Sequence, residues 1–141
     1  MKVRCISRKG ELLTEEYIDA RVNITREADF RLTRGKEYVV YALAIRPHDQ
    51  VWYYVVDDNE LWYPRYIPAP LFKIIDDRVS QFWRVKLTLG NSDHNVLLAF
   101  EEWVSEEWFY DRLTDHCTKE VSIFKARKLQ MDQEFSEPVA R

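Results

Sequence analysis

The chain has 141 residues, a formal net charge of −3 and a hydrophobic content of 46%. This length suits one domain, at residues 1–141, whose core needs neither disulfides nor metal. Only 3 Gly and 5 Pro occur, which excludes a disordered chain. No apolar run approaches the length of a membrane span, and the charged N-terminus lacks the apolar centre of a signal peptide. We therefore expect a cytoplasmic protein with no membrane partner.

An aromatic segment at residues 36–83 organises the chain, because it holds 11 of the 20 aromatic residues. Its Tyr, Val and Ile residues suit a pleated sheet. The runs at residues 37–45 and 51–56 are separated by Arg46-Pro47-His48-Asp49-Gln50, a loop of hairpin length. Further strands are predicted at residues 3–7, 61–66, 71–75, 79–87 and 96–100.

Local patterns make specific predictions about these strands. Gly35 comes just before the strand at residues 37–45 and predicts a turn with a positive φ. Residues 90–93 are predicted to form a loop. The alternation within residues 79–87 predicts a set of side chains that face the core. That set comprises Val79, Gln81, Trp83, Val85 and Leu87.

The pattern changes to helix after residue 100. Ser105 is the predicted N-cap of a first helix, and Glu106 and Glu107 then lie in its first turn, where the helix dipole favours carboxylates. A second helix is predicted at about residues 118–135. Residues 136–141 are expected to be frayed.

These elements predict an α+β fold. The β-rich part, at about residues 1–100, should form a small antiparallel β-barrel. Two C-terminal helices, at about residues 101–136, should close it. Cys5 and Cys117 are isolated in the sequence, so we expect both thiols to be unbridged in a reducing compartment.

Charge is spread unevenly along the chain. Residues 51–117 carry 12 Asp and Glu against 6 Lys and Arg. An acidic segment repels phosphate backbones and favours a basic partner. This pattern disfavours nucleic acid as the partner, although carboxylates that simply solvate loops and a helix would look the same in the sequence.

Motifs for catalysis and cofactor binding are missing. No GxGxxG or P-loop occurs, and three Gly in the whole chain leave little room for a phosphate cradle. The three His, at positions 48, 94 and 116, fall in separate predicted loops. With neither CxxC nor HExxH, a zinc site has no support in the sequence. We therefore expect no enzyme activity, no catalytic residue, no cofactor and no metal.

The aromatic residues allow two interpretations. A small barrel can fill its own core with large rings, and this accounts for most of them. More rings occur than one small core can hide, however, so some should lie at the surface, where Tyr and Trp are favoured interface anchors. Trp62, Tyr63 and Tyr66 are the candidate anchors.

Short motifs along the chain carry a resemblance to a known group of proteins. They are Leu32-Thr33-x-Gly35-Lys36-x-Tyr38-Val39-Val40-Tyr41, Trp52-Tyr53-Tyr54, Asp57-Asp58, Tyr63-Pro64-x-Tyr66-x-Pro68-Ala69-x-Leu71-Phe72, Asp76-x-Arg78-x-Ser80-x-x-Trp83, Phe109-Tyr110-Asp111-Arg112-Leu113 and Glu120-Val121-x-Ile123-Phe124. Over nearly its whole length the chain resembles a family of small bacterial proteins associated with immunity to polymorphic or contact-dependent growth-inhibition toxins. The start of the barrel also resembles SH3-like folds. The chain departs from the family at Asp77, where Gly is usual.

The resemblance implies an immunity protein that binds a cognate toxin domain and blocks its active site. Toxin domains of this kind are often basic nucleases, which agrees with the acidic middle of the chain. The expected contacts lie on acidic turns, in the aromatic segment and near the first helix: Asp57, Asp58, Glu60, Trp62, Tyr63, Tyr66, Asp76, Asp77, Glu101, Glu102, Glu106 and Glu107.

An alternative is a reader of nucleic acids or modified peptides, built on the SH3-like barrel. Such a reader would combine exposed rings with a basic cluster. The candidate cations are Arg21, Arg26, Arg31, Arg34 and Lys36.

Overall fold

Antiparallel strands form two sheets in the computed structural model, which describes residues 1–90 and 94–137. Residues 91–93 of the predicted loop and residues 138–141 of the predicted frayed end lie outside the described residues. The strands are β1 (Lys2–Cys5), β2 (Glu37–Val39), β3 (Ala42–Arg46), β4 (Gln50–Val55), β5 (Arg65–Pro68), β6 (Phe72–Asp76), β7 (Trp83–Leu87) and β8 (Val96–Phe100). One sheet has the order β2-β1-β6 and the other the order β5-β4-β3-β8-β7.

The chain passes between the sheets three times, at two tight corners and through residues 77–82 between β6 and β7. Only Val40 and Tyr41 separate β2 from β3; the amide of Val40 donates to Met1 in the first sheet, and that of Tyr41 donates to Tyr54 in the second. A single 3-10 turn, Ala69–Leu71, joins β5 to β6. The predicted strand at residues 37–45 is therefore two strands. Neither sheet closes on itself within the described residues, so the predicted barrel is not confirmed, whereas the α+β class is.

Three α-helices occur among the described residues, where two were predicted. They are α1 (Glu101–Ser105), α2 (Phe109–Thr114) and α3 (Thr118–Glu134). Ser105 ends α1 instead of capping a helix. Since Glu101 and Glu102 occupy the first turn of α1, the dipole argument for carboxylates applies to them and not to the pair five residues later. No helix in residues 1–90 and 94–137 has the length and apolarity that crossing a membrane requires.

The helices cover the five-stranded sheet through large apolar side chains. Phe100 at the end of β8, Phe109 and Leu113 on α2, and Met131 on α3 have no exposed surface. Burying a side chain of this size contributes about 1.5–3 kcal/mol. Polar contacts also fix α3, because the hydroxyl of Tyr41 donates to Asp132 at 2.5 Å. One hydrophobic cluster extends from Met1 to Met131.

The predicted core face of residues 79–87 is wrong at four of its five positions, because only Trp83 is buried and Gln81 is exposed together with the three apolar members. Trp83 is buried and its Nε1 donates to the Tyr41 carbonyl at 2.9 Å. Val79, Val85 and Leu87, by contrast, are 63%, 60% and 70% exposed. Strand β7 has no neighbour on its outer side among the described residues, so only its first residue packs against the core. Alternation separates the two faces of a strand, but it cannot show that this strand lies at the edge of its sheet, where neither face is fully covered.

The predicted backbone at Gly35 is confirmed, with φ of 86°. Its amide donates to the Cys5 carbonyl at 2.8 Å, which ties the turn before β2 to strand β1. A side chain at this position would meet no atom within 4 Å. Any cost of substitution therefore comes from the backbone conformation and not from a clash. Cys5 is buried and Cys117 is exposed, and both thiols are free as predicted.

We expect Gly35→Val to lower the free energy of unfolding by about 2 kcal/mol, because a β-branched residue resists positive φ. Gly35→Asn is the matched control and should cost less than about 1 kcal/mol, since Asn tolerates this region. Urea denaturation of both variants measures the difference. Equal midpoints for the Val variant and the parent would contradict the assigned turn.

Candidate binding site

A cleft of about 880 Å³ lies on one face of the five-stranded sheet. Strand register explains why charged side chains reach it. Lys86, Leu97, Ala44 and Trp52 form one cross-strand row, so their side chains share a face of the sheet. Arg46 follows Ala44 by two positions and shares that face. Arg46, Lys86 and Leu97 all line the cleft.

Aromatic rings connect the sheet to the helical wall of the cleft. Tyr54 lies opposite Tyr66 in the sheet, and its ring centroid is 4.9 Å from that of Trp103 and 5.1 Å from that of Tyr110. Trp103 and Tyr110 stack with an interplanar angle of 13°. The hydroxyl of Tyr110 donates to the Pro64 carbonyl at 2.7 Å, and burial raises the pKa of this hydroxyl. Tyr110 therefore serves as a fixed neutral donor and not as an acid.

The sheet wall of the cleft is cationic. The guanidinium of Arg46 lies 4.6 Å from the ring centroid of Trp52 and 5.1 Å from that of Tyr66. Arg65, also in the lining, donates to the buried carboxylate of Asp57 at 2.9 Å. Lys86 lines the same wall. The helical wall opposite carries carboxylates, from Glu107 and Asp111.

A second feature, next to the cleft, is an exposed surface that we call the tryptophan surface. Trp62 is 39% exposed and Trp108 is 56% exposed. The Nε1 of Trp62 donates to the carbonyl of Leu113 in the last turn of α2, whereas Trp108 directly precedes that helix. The two indoles thus lie near opposite ends of α2, about 9 Å long at 1.5 Å per residue. We define the tryptophan surface as Trp62 and Trp108 with the neighbouring carboxylates Glu60, Glu107, Asp111 and Asp115.

The predicted contacts on the first acidic turn separate into internal and exposed groups. Asp57 is buried and holds Arg65. Asp58 accepts hydrogen bonds from Thr33 and Tyr38 and forms an ion pair with Lys36 at 2.8 Å. Both carboxylates therefore hold the fold together. Glu60 is exposed and lies beside Trp62 in the sequence.

The second predicted acidic turn is similar. Asp76 is buried, and Arg78 donates to both of its carboxylate oxygens at 2.7–3.2 Å. This hydrogen bonding lowers the pKa of Asp76 from 3.8 to about 2. Asp77 is exposed. Neither Asp76 nor Asp77 lines the cleft.

The four predicted glutamates near the helices also differ in their surroundings. Glu102 forms an ion pair with Arg127 at 2.6 Å, and Glu106 forms one with Lys119 at 3.4 Å. Glu101 and Glu107 are exposed. Of the twelve predicted contacts, the lining of the cleft includes only Tyr63, Tyr66 and Glu107.

The basic cluster of the alternative function is mostly neutralised by neighbours. Arg21 pairs with Asp19 at 3.0 Å, Arg26 with Glu15 at 3.0 Å, and Arg31 is 4.0 Å from Asp29. Lys36 is held by Asp58, as described above. Only Arg34 among the five makes no ion pair within residues 1–90 and 94–137. These pairings leave little free positive charge for a phosphate backbone.

Sequence reasoning missed the residues that give the cleft its character. Arg46 was assigned to the hairpin loop, although it follows a run of apolar strand residues directly and could have been extended into the strand. Trp108 lies outside the aromatic segment at residues 36–83, and its position just before a helix does not by itself predict that it is exposed. Lys86 carries no local signal, since only cross-strand pairing places it on the cleft face. Arg65 carries none either, since only the tertiary fold brings it into the lining.

Comparison of the chain with protein-family models, with curated proteins and with solved structures found no match. Within the described residues, no group of three or more His, Cys, Asp or Glu side chains could hold a metal ion.

We expect Asp76→Asn to destabilise the protein by about 2 kcal/mol at pH 7, because it removes charge-assisted hydrogen bonds from Arg78. A carboxylate with a lowered pKa stabilises the fold above its unfolded pKa, and this contribution disappears as the pH falls through the folded value. The difference in the free energy of unfolding between the parent and the Asp76→Asn variant should therefore become smaller as the pH falls from about 4 to about 2.

Urea denaturation across this pH range measures the gap. Glu27→Gln, which alters an exposed carboxylate, is the control and should change stability by less than about 0.5 kcal/mol. A gap for Asp76→Asn that stayed constant down to pH 2 would show that Arg78 does not stabilise the ionised carboxylate.

Proposed function

We propose that the chain is a cytoplasmic immunity protein that binds a bacterial toxin domain and blocks its active site. The contact would be made by the tryptophan surface and the adjoining rim of the cleft. The resemblance of the sequence motifs to immunity proteins supports the class. The role is one of binding and not of catalysis.

The observation that carries the proposal is the pair of exposed indoles of Trp62 and Trp108, which lie near the two ends of α2. Trp and Tyr are the residues most enriched at interface hot spots, because they bury a large area and can still donate a hydrogen bond. Trp62 is already held by its bond to Leu113, so it would lose little side-chain entropy on binding. Tyr63 packs edge-on against Trp62 at 5.3 Å and extends the apolar area toward the cleft.

Charge around the indoles favours a basic partner. Glu60, Glu107, Asp111 and Asp115 make no ion pair with any residue in the described part of the chain. Arg112 on the same helix offsets one of these four charges. Unpaired surface carboxylates steer a basic protein during encounter, whereas carboxylates already paired inside the fold do not. Glu60 and Glu107 are therefore stronger candidate contacts than Asp57, Asp58 and Asp76.

Trp108 gives the cleaner test of the aromatic contact, since it is more exposed than Trp62. We expect Trp108→Ala to raise the dissociation rate from the toxin domain encoded beside this gene by about 30-fold, the equivalent of a 2 kcal/mol hot spot. Surface plasmon resonance measures the rate, and Leu89→Ala, which alters another highly exposed apolar residue, is the control. An unchanged rate would remove Trp108 from the interface.

Charge reversal tests the acidic contact separately. We expect the triple variant Glu60→Lys, Glu107→Lys and Asp115→Lys to slow association about tenfold or more at low salt, with a smaller effect at physiological salt, where screening acts over about 8 Å. The control is a triple variant with the same change in net charge, in which Glu11, Glu27 and Glu137 are replaced by Lys. These three residues lie outside the cleft lining. Equal slowing in both triple variants would mean that net charge alone acts. No binding by the parent protein would overturn the immunity function.

A further inference from the structure

Arg46 lines the cleft and has no counter-ion among the residues that the structure describes. Its Nε is buried and has no hydrogen-bond partner among the described residues. Its guanidinium also forms no ion pair within residues 1–90 and 94–137. The rings of Trp52 and Tyr66, at 4.6 and 5.1 Å, are its contacts. Since no carboxylate in residues 1–90 and 94–137 neutralises this guanidinium, its remaining N–H groups have the chemistry to bind an anion.

The way Arg46 is held determines what it can bind. Aromatic rings contact the guanidinium through its flat face, which leaves the N–H groups at its edge to donate in the plane. Two parallel N–H groups match the two oxygens of a carboxylate or a phosphate. Arg46 is thus oriented for bidentate recognition of an oxyanion.

Lys86 supplies a second cation on the same wall. Register places it two strands from Arg46, with a Cα separation of roughly 12 Å, which two long side chains can bridge around one oxyanion. Lys86 makes no ion pair within the described residues either. Arg65 differs, because Asp57 already neutralises it.

The rest of the cleft limits the size and shape of the ligand. Its volume of about 880 Å³ falls within the range of small-molecule sites. Tyr66 and Tyr110 line the cleft as half-buried rings with centroids 6.4 Å apart, and they supply aromatic surface for a planar group. Glu107 and Asp111 on the opposite wall would repel a chain of phosphates, which favours a ligand with one anionic end over a nucleic-acid strand.

We propose that this cleft binds a small molecule in which one carboxylate or phosphate, held by Arg46 and Lys86, is attached to a planar ring that packs against Tyr66 and Tyr110. The proposal does not depend on the immunity function, because such a ligand would bind whether or not a toxin domain is present. Arg46 and Lys86 would bind the oxyanion, whereas neither residue belongs to the tryptophan surface proposed to contact the toxin domain.

Isothermal titration calorimetry with four probes tests the ligand class. Adenosine monophosphate carries a phosphate on a ring, and indole-3-acetate carries a carboxylate on a ring. We expect at least one of them to bind with a Kd below about 1 mM, and the tighter of the two identifies the oxyanion. Adenosine lacks the oxyanion and inorganic phosphate lacks the ring. If the oxyanion that Arg46 binds is a phosphate, each of these two probes should bind at least tenfold more weakly than adenosine monophosphate.

Two outcomes of the titrations would overturn the proposal. One is the absence of binding by both ring-bearing oxyanions. The other is binding of a neutral ring, or of inorganic phosphate, as tight as that of the tightest ring-bearing oxyanion.

Variants locate the site on the protein. Arg46→Met keeps the length of the side chain but removes its charge, and should weaken binding of the tighter probe at least tenfold. It should leave the melting temperature unchanged or raised, since it also removes an unpaired buried donor. The control is Arg84→Met, on the same strand and face as Lys86 but outside the cleft lining, which should change affinity less than twofold. Equal losses in the two variants, or no loss with Arg46→Met, would contradict the assignment.

Discussion

Strand β3 is the constraint on which the rest of the structure depends. It pairs with β4 over its whole length and with β8 over three residues, so its register is fixed from both sides. Small residues at Ala42 and Ala44 lie opposite Tyr54 and Trp52, which leaves room for the large rings. A slip of one residue would move Arg46 to the opposite face and bury a charge in the core. The cleft therefore exists because this one strand cannot shift.

Rings form the connection between that sheet and the helices. Tyr54 contacts Trp103 and Tyr110 edge-on, and Phe100 contacts Phe109 in the same way, at 5.4 Å. Each such pair contributes about 0.5–1.5 kcal/mol beyond the area it buries. Most aromatic residues of the chain are therefore structural. Trp62 and Trp108 are different, because 39% and 56% of their surface stays exposed to solvent.

The acidic residues divide in a comparable way, and the division has a functional consequence. Carboxylates that satisfy partners inside the chain, such as Asp57, Asp76 and Glu102, cannot attract a second protein strongly. The carboxylates of the tryptophan surface make no ion pair within the described residues, so their charge remains available to attract a basic partner. On the other side of the cleft, Arg46 forms no ion pair with any residue that the structure describes. The proposed toxin contact and the proposed small-molecule site thus use opposite charges on neighbouring walls.

The sequence by itself determined the local features of this protein. It predicted the α+β class, the hairpin of β3 and β4, the long helix α3 and the positive φ of Gly35. These follow from residue type and spacing within a few positions, where propensity and periodicity act. Among the candidate site residues, exposure at Trp62 and the rim position of Tyr63 and Tyr66 agree with the interpretation of surplus rings at the surface.

Only the tertiary structure decided which charges are used internally and which face of each strand is covered. Asp58 meets Lys36 across 22 positions of sequence, and Tyr41 meets Asp132 across 91. Val85 and Leu87 alternate as core residues would, yet lie at a sheet edge. Arg46 reaches Trp52 and Tyr66 through the pairing of three strands. Such contacts depend on the path of the whole chain, because Coulomb attraction and packing act through space, whereas sequence patterns report only neighbours along the chain.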